Sequence, residues 1–183
     1  MVEFIGFSEG VEVNGQTVMS IVDGMGVFKE TAYRILKDNG IDDPEPGMWY
    51  SQQSWLDAFK TISENVGENT LYQVGKKIPA NADWPPGIKT IHEALDSVNK
   101  AYHMNHRGGE IGYYRYEKTG ENSGKMICCN PYPCDFDRGI IEAVAVKFRP
   151  AGSFIRVEHT DNEKCRKKGQ EICVYNVSWK TLL

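Results

Sequence analysis

The stretch Asp137-Arg138-Gly139-Ile140-Ile141-Glu142-Ala143-Val144-Ala145 decides the fold, because it predicts a helix between two regions that look like β-structure. Its apolar residues recur at the spacing of one helix face, and Phe148 extends that face by another turn. Asp135 or Asp137 can cap its start, and Gly152 lies beyond its end. The chain around this helix is rich in aromatic and β-branched residues, which favour strands.

Two strand-like runs precede the helix and two follow it. The first pair is separated by turn-forming residues 118–124, and the second pair by a charged turn at 164–170. The four predicted strands are 111–116, 125–129, 154–159 and 171–177. This β-β-α-β-β order predicts an antiparallel sheet with helices gathered on one side, which is an α+β fold.

The first half of the chain predicts mostly helix. Residues 1–26 contain several glycines and predict a loose opening segment with at most one short strand. Helical apolar spacing then recurs in four runs, at 28–37, 51–66, 68–78 and 88–106. Pro79 is expected to end the third run. We therefore expect one domain over 1–183, in which a helical half, 1–107, packs on a sheet-forming half, 108–183, and encloses an apolar pocket.

The composition bounds the classes of function. The chain has 183 residues, 40% of them hydrophobic and 25% charged, with a net charge of −4. A slightly acidic chain has no basic field for nucleic acid or an anionic membrane. No signal sequence and no run of 18 apolar residues is found, so a cytoplasmic location is expected. The chain has five cysteines, and an odd number does not fit a framework of paired disulfides. Reduced thiols, either free or bound to a metal, are therefore favoured.

Two segments carry a resemblance to a known family. The first is the helix start at Cys134, and the second is residues 163–177, in which Cys165 and Cys173 form a Cys-x7-Cys pair with Gly169 between them. An upstream Cys at a helix start, followed by this pair and an alternating strand, resembles the 4-vinyl reductase domain family. That family includes aromatic-sensing input domains and shares a fold with TRAPP subunits and with haem nitric-oxide/oxygen-binding (H-NOX) sensor domains. The resemblance covers about residues 108–180 and implies a pocket between helices and sheet.

The resemblance also implies a zinc site. In the aromatic-sensing members, zinc is held by the upstream Cys, an acidic residue and the Cys-x7-Cys pair, which match Cys134, Cys165 and Cys173 here. The acidic position is occupied by Asn162, so the fourth ligand stays open between His159 and other candidates, namely Asp161, Glu163, Cys128 and Cys129. Thiolate and imidazole ligands suit tetrahedral zinc. The alternative is that these are ordinary buried thiols; a disulfide between the adjacent Cys128 and Cys129 would be strained.

Haem is the alternative cofactor. H-NOX domains bind haem iron through one His on a long helix, and His103 and His106 lie near the end of a comparable helical run. Those domains also carry a Tyr-x-Ser-x-Arg motif for the haem propionates, whereas this chain has Tyr132 and Arg138 without that spacing or the Ser. The competing interpretation is that His103 and His106 lie on the more solvent-exposed edge of an amphipathic helix.

The function predicted from these features is binding or sensing of a small apolar or aromatic molecule. Candidate ligand-binding residues are Trp55, Phe59, Tyr102, His103, His106, Tyr113 and Tyr132. A sensor of this size is expected to act through a homodimer or a signalling partner. No nucleophile elbow, P-loop or dinucleotide fingerprint is present in the sequence. The third hypothesis, an enzyme acting on a tetrapyrrole-like ring, is therefore supported only by the name of the resembled family.

Overall fold

A four-stranded antiparallel sheet with helices on one face forms the body of the computed structural model, which describes residues 3–161 and 164–181. In chain order the elements are β1 (Glu12–Asn14), α1 (Gly15–Val18), α2 (Ser20–Met25), α3 (Lys29–Asp38), β2 (Trp49–Ser51), α4 (Gln52–Asn65), α5 (Glu68–Asn81), α6 (Ile91–Met104), β3 (His106–Arg107), β4 (Tyr113–Gly120), β5 (Ser123–Cys129), α7 (Cys134–Lys147), β6 (Ser153–His159) and β7 (Cys173–Thr181). Short 3-10 turns occupy Gly26–Phe28 and Arg166–Lys168.

The large sheet has the strand order β4-β5-β7-β6, with every neighbouring pair antiparallel. The predicted β-β-α-β-β order and the α+β fold are therefore confirmed. A second sheet, β2-β1-β3, was not predicted. Its strands have only two or three residues each, which is too short for an alternating pattern to be visible in sequence.

The helices of the first half lie close to the predicted runs. Ser51 caps α4 by accepting a hydrogen bond from the Ser54 N–H, and Thr90 caps α6 through a capping box with Glu93. The opening segment is more ordered than expected, because it contains α1 and α2 in addition to β1. Within the described residues, no helix combines the length and apolar character that a bilayer crossing requires.

Four predicted boundaries are wrong. Pro79 lies inside the last turn of α5, where it removes only the one hydrogen bond that its own N–H would donate, and the helix ends two residues later. The hairpin turn after β4 is confined to residues 121–122, so most of 118–124 is strand. Helix α7 begins at Cys134 after Pro133, and neither Asp135 nor Asp137 caps it. Helix α6 ends at Met104, so residue 106 is not helical.

Two helices approach unusually closely at a pair of glycines. A Cβ on Gly139 of α7 would lie 2.2 Å from the carbonyl oxygen of Tyr72 in α5, and one on Gly75 would lie 2.1 Å from that of Phe136. Only hydrogen atoms fit between these backbones. The contact fixes α7 against α5, and α7 carries residues of both sites described below.

Candidate functional site

A small cavity lies between the helices and the inner face of the sheet. Its volume is about 30 Å³, which is room for one water molecule. The wall is mostly apolar and aromatic, and its polar members are Thr17, Asn105 and His106. The other lining residues are Trp55, Ile78, Ala82, Trp84, Val98, Ala101, Tyr102, Tyr114, Tyr132, Phe136 and Ile140.

His106 turns into this cavity because α6 stops two residues earlier. The Asn105 side chain binds the Ala101 carbonyl oxygen at 2.7 Å, and residue 106 then pairs with Val13 as part of β3. His106 is 8% exposed. Its Nδ1 lies 2.8 Å from the Tyr102 carbonyl oxygen, which can only accept, so Nδ1 carries the proton and Nε2 is the acceptor. Burial lowers the pKa of His106 to about 4, so the ring is neutral at pH 7.

A chain of hydrogen bonds, called here the polar line, runs from His106 through Tyr132 to Gln52 at the start of α4. The Tyr132 hydroxyl lies 2.6 Å from His106 Nε2 and also accepts a 3.0 Å hydrogen bond from Gln52 Nε2. Two buried polar atoms beside this line, Gln52 Oε1 and Trp55 Nε1, have no hydrogen-bond partner within the described residues. Residues three apart on a helix share a face. Of the two, only Trp55 lines the cavity, so its indole N–H is a free donor there, whereas Gln52 Oε1 lies beside Gly6, 3.4 Å from where a Cβ on that residue would be.

The structure brings together some of the predicted ligand-binding residues. Trp55, Tyr102, His106 and Tyr132 line the cavity. Phe59 is buried behind them, with its ring 4.8 Å from that of Trp55. His103 is exposed on α6, and Tyr113 is 39% exposed on the outer face of the sheet, so neither reaches the cavity. Gln52 was missed, because a glutamine at a helix start gives no sequence signal of burial.

A second cluster gathers the thiols at the ends of four elements. The ligand atoms of Cys134, His159 and Cys165 all lie within 4.8 Å of one another, and Cys134 Sγ is 3.1 Å from Cys173 Sγ. Neither ring nitrogen of His159 has a hydrogen-bond partner among the described residues. Ligand atoms of a tetrahedral zinc site are about 3.5–3.8 Å apart, given its bond lengths. The cluster therefore has the donor types and the approximate size of a zinc site, although Asn162 and Glu163 lie outside the described residues.

The pKa values of the Cys134 and Cys173 thiols are shifted in opposite directions. The hydrogen bond to Cys173, followed by burial, raises the pKa of the Cys134 thiol well above its usual range, whereas the same hydrogen bond lowers the pKa of Cys173. The backbone N–H of Arg166 also points at Cys173 Sγ, at 3.4 Å. Glu3 lies on the other side of Cys134, with Oε1 2.9 Å from Sγ and 2.8 Å from the backbone nitrogen. Glu3 thus supplies the cap of α7 that Asp135 and Asp137 do not.

The two clusters are connected by a buried ion pair. Arg166, which follows Cys165, is ion-paired with Asp137, and both side chains are almost fully buried. Asp137 also accepts a 2.5 Å hydrogen bond from the hydroxyl of cavity-lining Tyr114. The Arg166 guanidinium donates to the backbone and side-chain oxygens of Asn130 at 2.9 and 2.7 Å. The segment carrying Cys165 is therefore tied directly to the cavity wall.

The thiol cluster opens onto a surface cleft of about 650 Å³. Cys134, His159 and Cys165 line it, and its rim contains charged side chains. Lys167 on the rim is paired with Asp135 at 2.6 Å and with Glu68 at 2.9 Å. An ion could therefore reach the cluster from solvent without passing through the core.

Comparison with solved structures shows that the fold is that of H-NOX domains. An H-NOX protein from S. oneidensis in the Fe(II) ligation state has a TM-score of 0.67 at 10% identity, covering 90% of this chain and 95% of that chain. An oxygen-binding H-NOX domain related to soluble guanylate cyclases has a TM-score of 0.63 at 16% identity, covering 91% and 92%. A mutant of the T. tengcongensis H-NOX domain gives 0.63 at 16% identity, covering 91% and 97%. No family model and no curated protein matches the sequence.

Proposed function

We propose that this chain is a small-molecule-binding sensor domain whose ligand enters the cavity beside His106 and Tyr132. The observation that carries the proposal is Trp55 Nε1, a buried donor of a cavity-lining side chain that has no partner among the described residues, since buried polar atoms without partners are costly. A hydroxyl group can accept a hydrogen bond from this indole N–H. A single aromatic ring bearing one hydroxyl therefore suits both the apolar wall and the free donor.

Such a ligand requires the cavity to widen. A cavity of about 30 Å³ is far below the roughly 300–1,000 Å³ of sites for drug-sized ligands. Trp84 gives the simplest route, because it lies in the segment between α5 and α6 that has no helix or strand, and its indole N–H is held by one 2.9 Å hydrogen bond to Ser97. Rotation of the Trp84 side chain away from Ser97 would widen the cavity without unfolding a helix, while the backbone of the neighbouring Asp83 stays tied to Asn105 at 2.8 and 2.9 Å.

Phenol is the probe that tests the cavity. We expect phenol to raise the melting temperature more than benzene does, because benzene leaves the indole N–H of Trp55 unpaired. The Trp55→Phe variant should lose the difference between the two probes, whereas Tyr113→Phe on the outer face should keep it. Equal effects of phenol and benzene on the wild type would contradict the assignment of Trp55. Mass spectrometry of material extracted from the purified protein would identify the natural ligand.

Haem binding through His106 is the alternative candidate, and the solved neighbours favour it over an aromatic ligand. It is supported by the fold, since the solved neighbours include H-NOX domains studied for haem distortion, and by the buried, neutral imidazole. The described packing does not fit haem. The cavity holds about one water molecule, the Tyr132 hydroxyl occupies His106 Nε2, and the buried cation Arg166 is already paired with Asp137. We therefore expect no Soret band in freshly purified protein; a stoichiometric Soret band that His106→Ala abolishes would reverse this order of candidates.

We further propose that Cys134, Cys165, Cys173 and His159 hold a structural zinc ion, as in the 4-vinyl reductase-like family that the sequence resembles. When bound, zinc would join the start of α7 to the ends of β6 and β7 as a closed tetrahedral centre. Metal analysis of anaerobically purified protein should give one zinc per chain. Cys165→Ser and Cys173→Ser should lose it, and Cys129→Ser on the outer face should not. Absence of zinc from the wild type would leave the thiols as ordinary buried residues.

A further inference from the structure

The two edges of the large sheet are protected to different degrees. Along the β4 edge the register shifts between Lys118 and Gly120, and the backbone N–H of Tyr114 donates to Asn99 Oδ1 at 3.0 Å. Both features discourage another strand from pairing there. Strand β6, at the opposite edge, pairs with β7 over seven consecutive residues with no register shift. It is the edge with the regular, uninterrupted register.

The open side of β6 presents unpaired backbone groups. The Thr160 N–H donates to the Val174 carbonyl at 2.8 Å. The backbone N–H and C=O groups of the even-numbered residues of β6 therefore point toward β7, and those of the odd-numbered residues point away from the sheet. Within the described residues, the outward groups of Ile155 and Val157 have no further backbone or side-chain hydrogen bond. An edge of this kind is a template for another strand. Phe154, on the solvent face of the same strand, is 65% exposed.

The charges of β6 are self-complementary. Arg156 and Glu158 project from the solvent face, where they contact each other at 2.6 Å. If two copies of β6 pair antiparallel about Val157, Arg156 of each copy lies opposite Glu158 of the other. These are positions between hydrogen-bonded pairs, where facing side chains are closest. A pairing about Arg156 instead would place the two arginines opposite each other, so the charges select one register.

We propose that β6 is a self-association surface, through which two copies of this chain join their four-stranded sheets into one continuous sheet. The two-fold axis passes between the Val157 residues, and the outward groups of Ile155, Val157 and His159 supply the inter-strand hydrogen bonds. The helices of both copies then lie on the same side of the joined sheet. This interface uses the backbone of His159 and not its imidazole ring, so it requires neither the cavity ligand nor the zinc ion.

Charge reversal followed by mixing tests the interface. Arg156→Glu and Glu158→Arg are each expected to weaken self-association by about tenfold or more, because each variant places two like-charged pairs opposite each other. An equimolar mixture of the two variants should form heterodimers as tightly as the wild type forms homodimers. The double variant, in which the charges are exchanged, should also recover. Sedimentation velocity across a concentration series gives the dissociation constants.

Arg115→Glu is the matched control, because Arg115 and Glu117 form the same charge pattern on β4. It should leave self-association unchanged. The proposal is overturned if the wild type stays monomeric at about 1 mM, if the mixture does not recover, or if Arg115→Glu weakens association as much as Arg156→Glu. Circular dichroism and melting curves of each variant separate a lost interface from a lost fold, and the recovery on mixing cannot come from a misfolded chain.

Discussion

Replacement of Arg166 by methionine tests how strongly the buried ion pair holds the thiol segment to the core. The change removes the guanidinium that pairs with Asp137 and its two hydrogen bonds to Asn130, at 2.9 and 2.7 Å. Asp137 would then be a fully buried carboxylate with no cation. Removing one partner of a buried pair typically costs about 3–5 kcal/mol. That is a large share of the roughly 5–15 kcal/mol by which domains are stable.

Urea unfolding followed by tryptophan fluorescence measures this cost. Asp137→Asn should cost a similar amount, because it leaves the Arg166 charge uncompensated. The double variant should be about 1–3 kcal/mol more stable than the sum of the two single costs predicts. Lys167→Met is the neighbouring control, and its half-exposed ion pairs should contribute at most about 1 kcal/mol. If Arg166→Met costs no more than Lys167→Met, or if the two single costs simply add, the ion pair does not hold the segment.

Two further predictions concern the helix contact and the buried histidine. Gly139→Ala should destabilise the fold by about 1–3 kcal/mol, because its Cβ would overlap the Tyr72 carbonyl oxygen; Gly6→Ala, which meets only ordinary contacts, should stay within about 0.5 kcal/mol in the same urea titration. Since the pKa of His106 is lower in the folded state, about 4, than in the unfolded chain, its contribution is complete above about pH 6.5 and falls as the pH approaches 4. Stability measured from pH 7 to pH 4 should therefore lose about 3 kcal/mol through this group, and a His106→Gln variant with the same pH slope would show that the loss comes from elsewhere.

The sheet and most helices could be predicted because their signals are local. The apolar spacing of α7 and the alternation of the strands on either side fix the order of elements without any distant contact. The inward turn of His106 could not be predicted. It depends on α6 ending at Met104 and on a two-residue pairing with β1, and a two-residue strand has no periodicity.

The thiol cluster was expected from the family resemblance, but its surroundings were not predicted. Arg166 lies in a run of charged residues that reads as a solvated turn, yet it is 2% exposed, because Asp137 from another element compensates its charge. Glu3 is the same kind of case, since its partner Cys134 is 131 residues away. Burial of a charged residue is decided by a distant partner, and a single sequence contains no local trace of that choice.

The two proposed sites share the first turns of α7, and this has a thermodynamic consequence. Phe136 and Ile140 line the cavity, Cys134 belongs to the thiol cluster, and Asp137 joins them through Arg166. A ring that enters the cavity packs against Phe136 and Ile140, and a zinc site tolerates little movement of its ligands. Phenol should therefore change the zinc affinity, measured by competition with a chelator, and zinc must change the phenol affinity by the same factor because the coupling is reciprocal. Arg166→Met should reduce that factor if the ion pair transmits it. Equal zinc affinity with and without saturating phenol would show that the two sites are independent, even if each exists.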